Sequence, residues 1–155
     1  LDVEDGAPAD HHAPERDGQG RHEVVAGIVV RAAQVLLCHR SADRAWYPDT
    51  WDLPGGHVES GETPHGALGR ELHEELGIRV VVPAGPFARL EEADFDCRIW
   101  IVTEWVGTPA NVAPDEHDEV AWWSLPALPG LALAHPDYPE LLRRALTLRP
   151  LPGSE

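Results

Sequence analysis

Residues 55–78 read GGHVESGETPHGALGRELHEELGI, a loop that feeds an acidic helix. Thr63 suits an N-cap, Pro64 the first helical position and Gly77 the residue just past the last turn. Between them Ala67, Leu68, Leu72 and Leu76 recur at helical spacing and predict one buried stripe. Gly66 and Gly69 lie inside that helix, where each costs about 1 kcal/mol relative to Ala, so the segment needs a tertiary surface to lean on.

Glu71, Glu74 and Glu75 stand at i, i+3 and i+4, which turns their carboxylates toward one face. Like charges at that spacing destabilise a bare helix by a few tenths of a kcal/mol per pair unless a cation sits among them. An oxygen-only cluster without His or Cys selects Mg²⁺ or Mn²⁺ over Zn²⁺. By itself ExxEE is equally the pattern of a solvated surface helix; the wider spacing separates the two. Gly56 is followed after five residues by Glu62, after seven more by Arg70-Glu71-Leu72, then by Glu74-Glu75 and Gly77-Ile78.

That order resembles the Nudix box, G-x5-E-x7-R-E-U-x-E-E-x-G-U with U aliphatic, at every defined position. The resemblance implies an α/β Nudix fold, a mixed β-sheet in a three-layer α/β/α sandwich. It further implies metal-dependent hydrolysis of a nucleoside diphosphate linked to another group. Carried over by residue, it makes Glu71, Glu74 and Glu75 metal ligands, directly or through water, with the Gly55 carbonyl as a further one. Arg70 and Glu62 look like the family's structural pair, the Arg orienting the helix glutamates, while Gly56 and Gly77 shape the ends of the motif. The electrostatics agree: crowded carboxylates raise one another's pKa, and a cation among them reverses this. The metal would neutralise phosphate oxygens and help activate water for attack on phosphorus.

Length and charge set the outer bounds. The chain has 155 residues, 43% of them hydrophobic, enough for one domain with a single core. Net charge is −15, with six acids against two arginines in residues 1–22, so the body keeps −11. A body that acidic repels nucleic acid and anionic lipid, and excludes both as partners, yet accepts a small polyphosphate that arrives with Mg²⁺. A nucleotide is therefore the expected partner, with the protein a monomer or homodimer. No apolar run approaches the ~18 residues of a membrane helix and the start lacks a signal-peptide core, so the expected location is cytoplasmic. Cys38 and Cys97 lack ligand spacing and read as small buried hydrophobes, with a disulfide between them left open.

Residues 1–21 mix Asp, Glu, Gly, Pro and His without periodicity and read as a disordered tail in which His11-His12 is solvated. The domain is expected over 22–150, with 151–155 a C-terminal tail. Glu23–Val30 and Gln34–Arg40 read as paired strands turning near 31–33. Gly27, central in the first, is expected to face the site, where it lets another group approach. In MutT-like members of the family the second strand ends in an Arg that reaches substrate phosphate, and Arg40 holds that place. Trp46, Tyr47 and Trp51 in the following loop either stack on a base or cover the core edge.

Ile78–Val82 reads as a short strand, and Phe87–Leu90 with Phe95–Val106 as a long hairpin whose Phe95, Cys97, Ile99 and Ile101 make one buried face. The loop 107–118 ends in an acidic run before a strand at Glu119–Trp123. MutT-like proteins place a further glutamate there, and counting back from Trp123-Ser124-Leu125 gives Glu116, with Glu119 as its rival. Such a residue serves as metal ligand or as general base, on a loop able to close over substrate. Tyr138–Leu148 has helical spacing, and His135 just before it falls where the family recognises the base. The oxidised-guanine enzyme uses an amide at that place, so His135 argues against that substrate.

The expected reaction is conversion of a nucleoside triphosphate to monophosphate and pyrophosphate. The alternatives are ADP-ribose or dinucleoside polyphosphate hydrolysis and a non-catalytic nucleotide sensor. The Pro and Tyr that mark the first two subclasses are absent, Asp94 and Asp96 standing in that neighbourhood. The intact box argues against a sensor, and the cysteines give no setting for prenyl diphosphate isomerisation.

Overall fold

Residues 20–147 are described by the computed structural model. β1 (His22–Arg31) forms the spine of a mixed sheet. It runs parallel to β7 (Phe95–Val102) over eight residue pairs, from His22 opposite Phe95 to Val29 opposite Val102. β6 (Ala88–Glu91) closes that side as the antiparallel partner of β7.

On its other side β1 has two partners in succession. Val24–Ala26 pair with β4 (Gly55–His57), whereas Val30 and Arg31 pair with β2 (Gln34–Arg40) through a two-residue turn. Ala32 and Ala33 in that turn both have positive φ, the geometry that suits a tight hairpin to strand twist. Between the two stretches the Gly27 amide donates to the Pro54 carbonyl, and the sheet divides. β2 carries off β3 (Thr50–Asp52) on one edge and β9 (Glu119–Ser124) on the other. A cleft opens at this division.

Two helices cover the two faces, which makes the α/β/α sandwich. α1 (Pro64–Leu76) is built as its sequence requires. Thr63 accepts the Gly66 amide, Pro64 opens the helix, and Gly77 takes a left-handed φ of 75° while its N–H caps onto the His73 carbonyl. Its apolar stripe, Ala67, Leu68, Leu72 and Leu76, packs on Val25, Val29, Leu36 and Cys38. α2 (Tyr138–Thr147) covers the opposite face, with Tyr138, Leu141, Leu142 and Ala145 against Val24, Ile28, Leu37 and Cys97. A short 3-10 helix (Leu125–Gly130) links β9 to this layer.

The structure departs from expectation at three places. Gly27 faces the helix rather than the site: a Cβ there would stand 3.2 Å from Leu72 Cδ1, so the glycine admits α1 to the sheet. The long second strand of the hairpin stops at Val102. Trp105–Val106 forms a separate strand, β8, which pairs with β5 (Arg79–Val80) in a small second sheet. β7 is also buried on both faces, since Asp96 and Trp100 are as covered as Cys97 and Ile99. Alternation marks one buried face only where the other meets water, and here each face carries a helix.

Cys38 and Cys97 are free thiols that lie in the separate cores beneath α1 and α2, so no disulfide joins them. Burial raises the pKa of both, that of Cys97 to about 12. The tail at 1–19, with His11-His12, and residues 148–155 lie outside the described residues. No described helix is long and apolar enough to cross a membrane.

Candidate active site

The loop ahead of α1 is folded by Arg70. Its Nε and Nη2 grip Glu62 as a fork, at 2.6 and 2.9 Å, and Nη2 also donates to the His57 carbonyl at 3.0 Å. Its third nitrogen, Nη1, donates to Glu71 at 3.0 Å and to Glu74 at 3.2 Å. One guanidinium thus ties the loop to the acidic face of the helix. Burial works against its charge, but the hydrogen bond to Glu62 and the surrounding carboxylates outweigh it and raise its pKa.

Glu75 projects from the same helix beneath the sheet division. Only 3% of its side chain is exposed, and Oε1 accepts the Gly55 amide at 3.1 Å. Glu71 lies against Gly56, where any Cβ would stand 2.6 Å from the carboxyl group; only glycine fits. Glu71 and Glu75 hydrogen-bond to each other. Burial pushes the Glu71 pKa up to about 7, with the Arg70 charge opposing. Burial likewise raises Glu75, reinforced by the charges of Glu71 and Glu116.

The narrow cleft beyond Glu75 is lined by Cys38, Arg40, Arg44, Asp52, Leu53, Gly55, Glu116 and His117. β2 therefore delivers Arg40 to the cavity, where its Nε is held by the Trp46 carbonyl at 2.8 Å. The loop before β9 delivers Glu116, whose carbonyl accepts from Arg44 Nη1. Glu74 is exposed and engaged by Arg70, apart from this lining. Glu119 begins β9 on the surface opposite His39.

His135 lies elsewhere. It bonds to Glu92 at 3.1 Å and borders an apolar groove with Leu125, Leu128, Leu133 and Pro139. Trp51 packs edge-on to Trp123 at 5.1 Å, covering the core, while Trp46 and Tyr47 stay exposed.

Three cleft residues escaped the sequence reading. His117 is buried with Nε2 3.9 Å from Glu75 Oε1. Arg44 sits one loop turn past Arg40, and Asp52 accepts from the Tyr138 hydroxyl at 2.8 Å. Position next to Glu116 was the available signal for His117; nothing local distinguished Arg44 or Asp52.

A half-buried and a buried carboxyl in contact, Glu71 and Glu75, with Glu116 beside them, form an oxygen donor set of the kind hard divalent cations take. Among the described residues no three His, Cys, Asp or Glu side chains are gathered tightly enough to enclose an ion as they stand, and Arg70 Nη1 lies between Glu71 and Glu74. The donor chemistry and the glycine cradle for Glu71 fit such an ion.

A carboxylate-rich helix and a glycine loop stand at the division of a mixed sheet, with arginines across the cleft, an arrangement suited to a hydrolase of phosphate anhydrides. The NUDIX domain family model matches residues 20–145, and the chain belongs to that family. A CTP pyrophosphohydrolase of Escherichia coli K12 is 36% identical over 134 residues, 82% of this chain and 93% of its own. An 8-oxo-dGTP diphosphatase of Haemophilus influenzae is 36% identical over 93 residues, 56% of this chain and 66% of its own. A MutT Nudix hydrolase of Burkholderia pseudomallei superposes with a TM-score of 0.69 at 30% identity, over 81% of this chain and 95% of that one. The protein is a Nudix pyrophosphohydrolase.

Proposed function

We propose that the enzyme hydrolyses a nucleoside triphosphate to the monophosphate and pyrophosphate, within the wider class of nucleoside diphosphates bearing a further group. The observation that carries this reading is the buried Glu71–Glu75 pair, held beside Glu116 and facing Arg40 and Arg44 across the cleft. Mg²⁺ or Mn²⁺ would be held by Glu71, Glu75, Glu74, Glu116 and the Gly55 carbonyl. Bound there, it supplies charge neutralisation at phosphate oxygens and lowers the pKa of water.

The chain's own residues do the rest. Arg40 and Arg44 bind phosphate oxygens, which accept from the planar donor fork of a guanidinium. Glu116, on the loop before β9, takes the proton from the attacking water. Arg70 acts as a positioning residue that holds Glu71 and the loop in register. Glu119 and His135 remain proposed substrate contacts, and both need a nucleotide that extends beyond the cleft. CTP is the first triphosphate to test, because a relative that covers 82% of this chain is a CTP pyrophosphohydrolase.

The test is phosphate release coupled to inorganic pyrophosphatase. The panel covers nucleoside triphosphates, oxidised guanine nucleotide, ADP-ribose, dinucleoside polyphosphates and nucleotide sugars, each with Mg²⁺, Mn²⁺ or EDTA. A phosphatase is added for substrates that yield only monophosphates. Metal-dependent release from a triphosphate is expected. Release confined to ADP-ribose or to a dinucleoside polyphosphate would replace the triphosphate reading, and silence across the panel from folded protein would overturn it.

A further inference from the structure

His39 lies next to Arg40 on β2 but on the opposite face of the strand, with Leu37 and Trp51 rather than Cys38. Both of its ring nitrogens face carboxylate oxygens. Nδ1 is 2.7 Å from Asp118 Oδ1, and Nε2 is 3.0 Å from Asp49 Oδ1. A carboxylate only accepts, so an imidazole satisfies both partners only when it donates from both nitrogens, as the imidazolium. The neutral ring satisfies one and sets a lone pair against the other.

The two aspartates come from different loops. Asp49 closes the loop 41–49, which carries Arg44 and Trp46, and its amide is returned to the Ser41 carbonyl at 3.3 Å. Asp118 ends the loop that carries Glu116 and His117, and its amide donates to the His39 carbonyl at 3.1 Å. Arg44 Nη1 also crosses between these loops, to the Glu116 carbonyl. The charged groups facing His39 are Asp49 from one loop, Asp118 from the other and Glu119 across the β2–β9 pairing, all acidic; β3 presents the Trp51 ring at 4.9 Å. Trp51 also fixes the ring's plane.

We propose that His39 is a positioning residue whose imidazolium straps the 41–49 loop to the loop before β9, and so seats Arg44 and Glu116 across the cleft. Its effect on turnover rests on the role given above to Glu116; the strap itself does not. Two part-exposed charge-assisted bonds of this kind change a local opening equilibrium by roughly fivefold. A side chain that donates to one aspartate only would release the other, and the loop would open more often.

The direct test is hydrogen exchange of the Glu116, His117 and Asp118 amides in full-length protein without metal, corrected for intrinsic rates. Protection is expected to be about fivefold lower in His39→Gln, which is neutral and reaches one aspartate, and to be kept in His39→Arg, a permanent cation with a forked donor. Asp118→Asn lowers protection as well and covers the case in which His39→Gln fails to fold. Wild-type protection equal to that of His39→Gln overturns the strap. A strap confirmed by exchange, with kcat unchanged in His39→Gln, would leave the strap standing and remove its link to Glu116. Loss of kcat, with KM raised through Arg44, is the expected result.

Discussion

Two buried carboxyl sites in one sheet sandwich are treated in opposite ways. Asp96, on β7, has no exposed side-chain surface, and Arg89 on the neighbouring strand grips it through two bonds of 2.7 and 2.6 Å. The hydrogen bond from Arg89 holds its pKa below the usual carboxylate value. Glu75 is buried to the same degree, yet it meets the Gly55 amide, the carboxyl of Glu71 and, at 3.9 Å, His117. Its pKa is pushed up. Burying a carboxylate is costly unless a cation or several donors accompany it. Where the chain needs a carboxylate for structure, it supplies the cation from its own sequence. Along the helix it supplies one arginine, Arg70, to Glu62, Glu71 and Glu74 together, and Glu75 is left short of a paired cation although Arg40 and Arg44 line the same cleft. That shortfall is what a bound metal and its phosphate substrate would fill.

Glu75→Gln breaks the contrast most sharply. If the buried charge exists for the reaction, turnover falls by roughly 10³-fold, the several kcal/mol that metal-assisted charge stabilisation supplies. The amide still reaches the Gly55 N–H and removes a disfavoured charge, so the thermal midpoint of metal-free protein holds or rises. A steady-state rate measured beside a melt decides it. A variant that melts early while its folded fraction keeps the full rate would make Glu75 a structural residue after all.

Proton linkage gives the next largest effect, on the order of 2 kcal/mol. The Glu71 pKa is raised by burial from 4.5 to about 7, so the folded state binds this proton more tightly than the unfolded one. Its contribution to stability is fully present below pH 4.5 and is lost as pH rises through about 7. Denaturant titrations in EDTA should therefore show wild-type stability falling over that interval relative to Glu71→Gln. Saturating Mg²⁺ should flatten the difference, because the ion stabilises the charged form. A difference that stays flat in EDTA would mean the cleft already balances its own charge.

Much of this was legible in the sequence, for reasons that can be named. The helix was fixed by local chemistry, since Thr63, Pro64 and Gly77 act within one turn of their own position. The Arg70–Glu62 fork followed from the family pattern, and it is the pattern of a loop tied to the next helix. Gly27 misled because a strand glycine signals close approach without naming the visitor, and the visitor is Leu72. The end of β7 was hidden because Thr103-Glu104 carries no turn residue; β8 is set by pairing with distant β5. His117, Arg44 and His39 were invisible for the same reason: their partners lie 42, 72 and 79 residues away. Burial of Asp96 was missed because the face it shares with Trp100 and Val102, which alternation had assigned to solvent, is the face that α1 covers.

Arg89→Ala examines the other half of the contrast and gives the smallest effect. It leaves Asp96 buried with Arg21 still 3.9 Å away. Arg89 is itself 48% exposed, so the loss is about 1–2 kcal/mol, toward the lower end for charged hydrogen bonds. The sign with pH is opposite to that of Glu71. The depressed pKa of Asp96 gives stability that is present above its unfolded value of 3.8 and is lost as pH falls through the folded one. Wild type and Arg89→Ala should then differ at neutral pH and converge in acid, while turnover per folded molecule stays unchanged. Convergence in acid would identify Asp96 as a carboxylate whose cation the chain provides. A gap that persists below that pKa would assign the loss to packing of the Arg89 stem, and the two carboxylates would no longer be opposites in charge alone.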